Sequence, residues 1–205
     1  MDKEDGIFMK IMKQKIKLLC PQLIFLIVTF CIFMPSSLFL GNLDEFAVGF
    51  TALIPLLMAA SLITAAVVIL IGLIVPKKIC NIYAAVIFGG ALAAYVQGNF
   101  LNPDFGVLNG RQIQWSQFKV NGIISTVVWI VLIVVPAVIV CFKKDIMTNI
   151  IKWGSLFLSS IQVVTLVVLI VSSKRSVDYS YVVTKNDEFA LSSQGNVVVF
   201  IVDTL

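Results

Sequence analysis

The chain has 205 residues, 60% of them hydrophobic and only 13% charged, with a net charge of +4 and a mean hydropathy of +1.03. A soluble domain carries about 45–50% apolar and about 25% charged residues, so this composition excludes the soluble classes and predicts an integral membrane protein. The absence of histidine excludes a His-based catalytic triad and a His-ligated metal, and no basic cluster suggests nucleic acid.

A helix needs about 20 mostly apolar residues to cross a hydrocarbon core of about 30 Å, and five runs meet that need. Residues 1–17 carry Lys3, Lys10, Lys13, Lys15 and Lys17, a basic amphipathic stretch suited to the inner membrane surface. The first span, 18–40, holds Pro21 near its start and Pro35 near its end; it is too long for a signal peptide and is expected to stay uncleaved. A short link with Asp44 and Glu45 leads to the second span, 50–75, which returns to Lys77 and Lys78. The third span, 79–95, follows. Ser61 and Ala65 in one and Gly90 and Ala94 in the other lie four apart, a spacing that lets helix backbones approach, so spans two and three are expected to pack together.

Residues 97–122, QGNFLNPDFGVLNGRQIQWSQFKVNG, form the longest polar interruption, rich in turn-forming Asn, Gly and Pro. Within it Arg111, Trp115 and Lys119 are candidates for contact with a lipid head group, or else plain interfacial anchors. The fourth span, 123–142, carries Pro136 and ends at Lys143 and Lys144. After a short amphipathic piece the fifth span, 153–172, exits at Lys174 and Arg175. Under the positive-inside rule the lysines of residues 1–17, with Lys77, Lys78, Lys143, Lys144 and Lys152, predict a cytoplasmic N-terminus and an extracytoplasmic C-terminus.

No Asp, Glu, Lys, Arg or His interrupts these spans, so the groups that pumps and transporters place in the membrane are missing. Ser125, Thr126, Ser159, Ser160, Gln162 and Thr165 instead predict hydrogen bonds between helices or back to carbonyls of their own helix. Cys20, Cys31, Cys80 and Cys141 all lie in or beside apolar runs and read as small hydrophobes, not as disulfides or metal ligands.

Residues 174–195 read as an extracytoplasmic linker. Residues 196–205 open with NVVVFIVD, apolar at six consecutive positions and β-branched at five of them, which predicts a strand covered on both faces, as in the centre of a parallel sheet. A strand of that kind needs neighbours, so the chain is expected to be part of a longer protein; an apolar tail resting on the membrane is the other reading. Asp203, just after the strand, is a candidate ligand for a hard metal, although an apolar run followed by Asp is also the pattern of a turn or helix cap.

The segment GNVVVFIVDTL resembles the opening of the sulfatase-like domain of the alkaline phosphatase superfamily. Five spans before it, and the segment YVQGNFLNPDFGVLNG, resemble the lipoteichoic acid synthases and related phosphoglycerol or phosphoethanolamine transferases of bacterial envelopes. The resemblance implies an all-α, five-span membrane region in a bacterial cell membrane, followed by the first strand of an α/β domain. It also implies a divalent metal (Mn, Mg or Ca) with Asp203 among its ligands, and membrane lipids, an anionic phospholipid or an envelope polymer as partners. The lipoteichoic acid synthases usually have Glu where this chain has Asp203, and Thr204 matches no nucleophile position, so no catalytic residue is assigned. The 205-residue chain by itself is expected to be inactive. A small self-contained membrane protein, acting as an assembly partner or transporter subunit, is the alternative.

Overall fold

The computed structural model describes residues 2–43, 46, 48–103 and 114–173, and every regular element among them is helical. Five helical rods are long and apolar enough to cross a membrane, the number the sequence predicts. Residues 174–205, with the expected linker, strand and Asp203, lie outside the described residues.

The first rod joins α1 (Asp2–Leu26), a π-helical turn (Ile27–Phe33) and α2 (Met34–Gly41). The helix runs without a break from the basic stretch into the apolar one. The π-turn precedes Pro35, whose ring would collide with the carbonyl four residues back. Wider i→i+5 bonding, as from the Met34 N–H to the Thr29 carbonyl, accommodates it. A 3₁₀ turn (Phe50–Leu53) leads into α3 (Ile54–Ile74), with Pro55 in its first turn, where no N–H is needed, and Pro76 just past its end.

The third rod is α4 (Cys80–Val96) continued by a π-turn (Gln97–Leu101), so it runs six residues beyond the expected end at residue 95. Polar side chains do not stop it because they are satisfied along the helix: the Asn99 amide donates to the Tyr95 carbonyl at 2.7 Å, and the Trp129 indole donates to Gln97 at 3.3 Å. The fourth rod starts earlier than expected, with a 3₁₀ turn (Trp115–Phe118) and α5 (Lys119–Phe142). The fifth is α6 (Lys144–Ser172), one continuous helix that includes the amphipathic piece.

Successive rods reverse direction. Lys15, Lys77 and Lys144 gather at one end of the bundle, the lysine end, while Asn42 and Asn102 lie together at the other, the asparagine end.

Rods one and three form the centre: 39% and 44% of their apolar windows are buried, against 11% for the second and fourth and 17% for the fifth. Small residues make the difference. Ala84, Ala85, Gly89, Ala91, Ala93 and Ala94 of α4 are all buried, and small side chains let backbones approach where lipid supplies no hydrophobic drive. Phe25 and Phe88, 5.8 Å between ring centres, fill the middle with Ile151 and Val140.

The closest helix contact is between α4 and α5. A Cβ at Gly89 would overlap the carbonyl oxygen of Leu132 and sit 2.8 Å from Ile133 Cα. Leu132 lies four residues before Pro136, which has no N–H to offer that carbonyl, so the proline leaves an acceptor free where the glycine passes. A Cα–H···O contact there is worth about 0.5–1 kcal/mol.

The expected pairing of spans two and three through Gly90 and Ala94 is therefore corrected. A Cβ on Gly90 would meet nothing within 4 Å, and α3 and α4 do not pack along their length. They meet near the lysine end, where the Tyr83 hydroxyl donates to the Val68 carbonyl at 3.1 Å. The close approach of α3 is to α1, with Gly72 under the Leu19 side chain, while the Ser61 hydroxyl donates back to Leu57 at 2.7 Å. A four-residue spacing of small side chains shows that a helix has a narrow face, not which neighbour uses it.

Candidate functional site

Two polar features run through this apolar bundle. The first is a buried seam between α1 and α6, which both start at the lysine end and so run parallel. Gln22, Thr29 and Ser36 recur every seven residues on the first rod, and Ser155 and Gln162 lie seven apart on α6, with Ser159 between them; all six are buried. A seven-residue repeat keeps side chains on one seam between packed helices.

Thr29 and Gln162 pair in both directions: the Thr29 hydroxyl donates to Gln162 Oε1 at 3.1 Å and accepts from Gln162 Nε2 at 3.0 Å. The Gln22 amide, with its nitrogen turned inward, meets the carbonyls of Leu18 and Leu19 at 2.5 and 3.2 Å, and the Ser159 hydroxyl donates to the Ser155 carbonyl at 2.7 Å. Amides and hydroxyls hold register but carry no charge. Of the polar span residues read from sequence, Gln162 bonds between helices, while Thr126, Ser159 and Ser160 bond back along their own.

The second feature is a cleft of about 460 Å³ at the asparagine end, between the first and third rods. Met34 and Ser37 line one side, and Gly98, Asn99 and Asn102 the other, with Asn42 at the rim. A Cβ at Gly98 would lie 2.7 Å from Met34 Cε, the free end of a flexible side chain that can move aside. The amide nitrogens of Asn42, Asn99 and Asn102 donate to the carbonyls of Leu38, Tyr95 and Gly98 at 2.8, 2.7 and 3.3 Å. Each nitrogen uses one of its two N–H groups, so Asn42 and Asn99 keep an amide oxygen as acceptor and one N–H as donor. Among the described residues, no charged side chain lines the cleft. Amide oxygens and N–H groups together suit a hydroxyl-bearing ligand, which can donate and accept.

Aromatic rings brace this end. Phe39 stacks on Phe46 at 4.5 Å and meets Phe50 at 5.8 Å, tying the entry of the second rod to the exit of the first, and Phe33 faces Tyr95 at 6.4 Å.

Of the residues singled out from sequence, Arg111 and Asp203 lie outside the described residues. Trp115 opens the turn before α5, 66% exposed, and Lys119 is the first residue of α5, beside a shallow groove with Gly122, Ile123 and Thr126. Neither lines the asparagine cleft. Among the described residues there is no group of three or more His, Cys, Asp or Glu that could hold a metal ion.

The sequence does not show the cleft, because Asn99 and Asn102 read as turn formers and Asn42 carries no signal of its own. Their position beside Gly41 and Gly98 at the ends of two spans was the available signal. No family model, curated protein or solved structure is significantly similar to the chain.

Proposed function

We propose that these five rods are the membrane region of a sulfatase-like, metal-dependent transferase that acts on lipid head groups or polymers of a bacterial envelope. In this reading the lysine end faces the cytoplasm, and the asparagine end and residues 174–205 face the envelope. The observation that carries it is the segment GNVVVFIVDTL, whose run of apolar, mostly β-branched residues before Asp203 is the sequence pattern of a buried strand, and which follows five apolar helices. α6 starts at Lys144 and its 29 residues end at Ser172, which leads the chain toward the asparagine end.

Two features of the bundle agree with this role. Its buried polar seam holds no ionisable group, which speaks against a proton or ion path. Its cleft is lined among the described residues by uncharged Asn amides and lies at the end where α6 finishes, a place where the hydroxyls of a glycerol-type head group can be held. Lys119 and Trp115, with Arg111, would meet lipid phosphate at the same end. The metal belongs with Asp203 and with carboxylates beyond those in the described bundle; the bundle's own part is to hold and orient.

Reading the gene past the codon for Leu205 tests the proposal. The expected result is an α/β domain with further Asp and His residues and a hydroxyl nucleophile, and an Asp203→Asn change in that protein should abolish head-group transfer from labelled phospholipid. A stop codon at that point, or full transfer by the D203N protein, overturns it in favour of a small self-contained membrane protein.

A further inference from the structure

The lysine end holds a pocket that no part of the proposed transferase role uses. Its volume is about 210 Å³, and it is walled by Lys15 and Gln14 of α1, Lys77 of the α3–α4 joint, Cys80 and Asn81 of α4, and Lys144 of α6. Lysines from three separate segments thus line one pocket, with no carboxylate among its described lining residues.

Two of the three are already oriented. Lys15 Nζ donates to the carbonyls of Leu73 and Val75 at 2.8 and 2.6 Å, closing the C-terminal end of α3, and keeps one N–H to spare. Lys77 Nζ donates to Gln14 Oε1 at 3.1 Å, which leaves it two. Lys144 has no hydrogen-bond or ion-pair partner among the described residues. Lys15 is half-buried and Lys77 and Lys144 are exposed, so their like charges repel across a partly hydrated pocket. α4 and α6 also begin at the pocket, but the first N–H of α4, at Cys80, is taken by the Pro76 carbonyl and the first turn of α6 carries Asp145, so the lysines and not the helix ends supply the positive charge.

The pocket sits where apolar helix gives way to polar chain, at Leu18, Cys80 and Lys144. That is the level of lipid phosphates.

We propose that Lys15, Lys77 and Lys144 form a binding site for a phosphate group at the lysine end of the bundle, distinct from the asparagine cleft at the opposite end. The phosphate enters as an anion between the three ammonium groups, and it offsets their repulsion while it ties α1, the α3–α4 joint and α6 together.

The test uses the 205-residue chain in detergent, with native mass spectrometry and thermal unfolding as readouts. The probes are phosphatidylglycerol, phosphatidylcholine and inorganic phosphate, and the variants are K77Q/K144Q and K10Q/K13Q. The second variant removes the same charge from the exposed part of α1 outside the pocket. Lys15 is left in place because it closes α3.

Expected is retention of one phosphatidylglycerol with a rise in unfolding temperature, weakened about tenfold or more in K77Q/K144Q and little changed in K10Q/K13Q, as loss of charge-assisted contacts predicts. Equal protection by inorganic phosphate would assign the same site to a soluble phosphate and still support it. Equal weakening in both variants, or no preference for an anionic lipid or phosphate over phosphatidylcholine, would overturn it.

Discussion

The first and third rods, set against the second and fourth, divide the bundle into a centre and a rim. The rim helices are dense in Leu, Ile and Val and leave them outward, as with Leu56, Leu62, Ile63 and Ile74 of α3. Of the central helices, the third rod is dense in Ala and Gly and buries most of them, and the first buries the polar Gln22, Thr29 and Ser36. In a soluble protein the most apolar segment lies inside. Here the order is reversed, since lipid is as apolar as leucine and helices associate through close backbone approach and hydrogen bonds.

The strongest test of this division sets two neighbouring glycines against each other. Gly89→Ala pushes a methyl group into the backbone of α5, where nothing flexible can yield. It should cost about 3 kcal/mol, or the bundle should lose its monodisperse form in detergent. Gly90→Ala has open space and should stay within about 0.5 kcal/mol of the parent. Equal effects in a denaturation series would remove the α4–α5 contact from the account.

A smaller effect is expected at the seam. Thr29→Val and Gln162→Leu each leave a buried polar group without its partner, and a double-mutant cycle should give a coupling of about 0.6–1.7 kcal/mol. A coupling of zero would mean that α1 and α6 are not held in register by this pair. The smallest effect belongs to the rim, where Leu62→Ala with Ile63→Ala should change stability in detergent by no more than about 0.5 kcal/mol. A large loss would show that this face of α3 is covered by a partner and does not face lipid.

The sequence made five rods legible because runs of apolar residues broken by Lys pairs are a long-range signal that survives small errors in boundary. Rod ends were less legible. Gln97 and Asn99 look like chain leaving the membrane, yet Asn99 bonds back to Tyr95 along its own helix and Gln97 accepts from Trp129, a bond that exists only once α4 and α5 are side by side. Neighbour choice was less legible still: Gly90 and Ala94 have the right spacing, but Gly89 is the glycine that an adjacent helix touches. Its partner, the carbonyl left free by Pro136, lies 43 positions along the chain at Leu132. The lysine pocket was hidden for the same reason. Lys15, Lys77 and Lys144 read as topology signals one at a time, and only the fold brings them to one place.

The account depends most on which end of the bundle faces out. With Cys20, Cys31, Cys80 and Cys141 replaced by Ala, single cysteines at Lys10→Cys and Ser193→Cys can be treated with a membrane-impermeant maleimide in intact cells. The account predicts that S193C is labelled at once and K10C only after lysis; labelling of K10C in intact cells with S193C protected would contradict it.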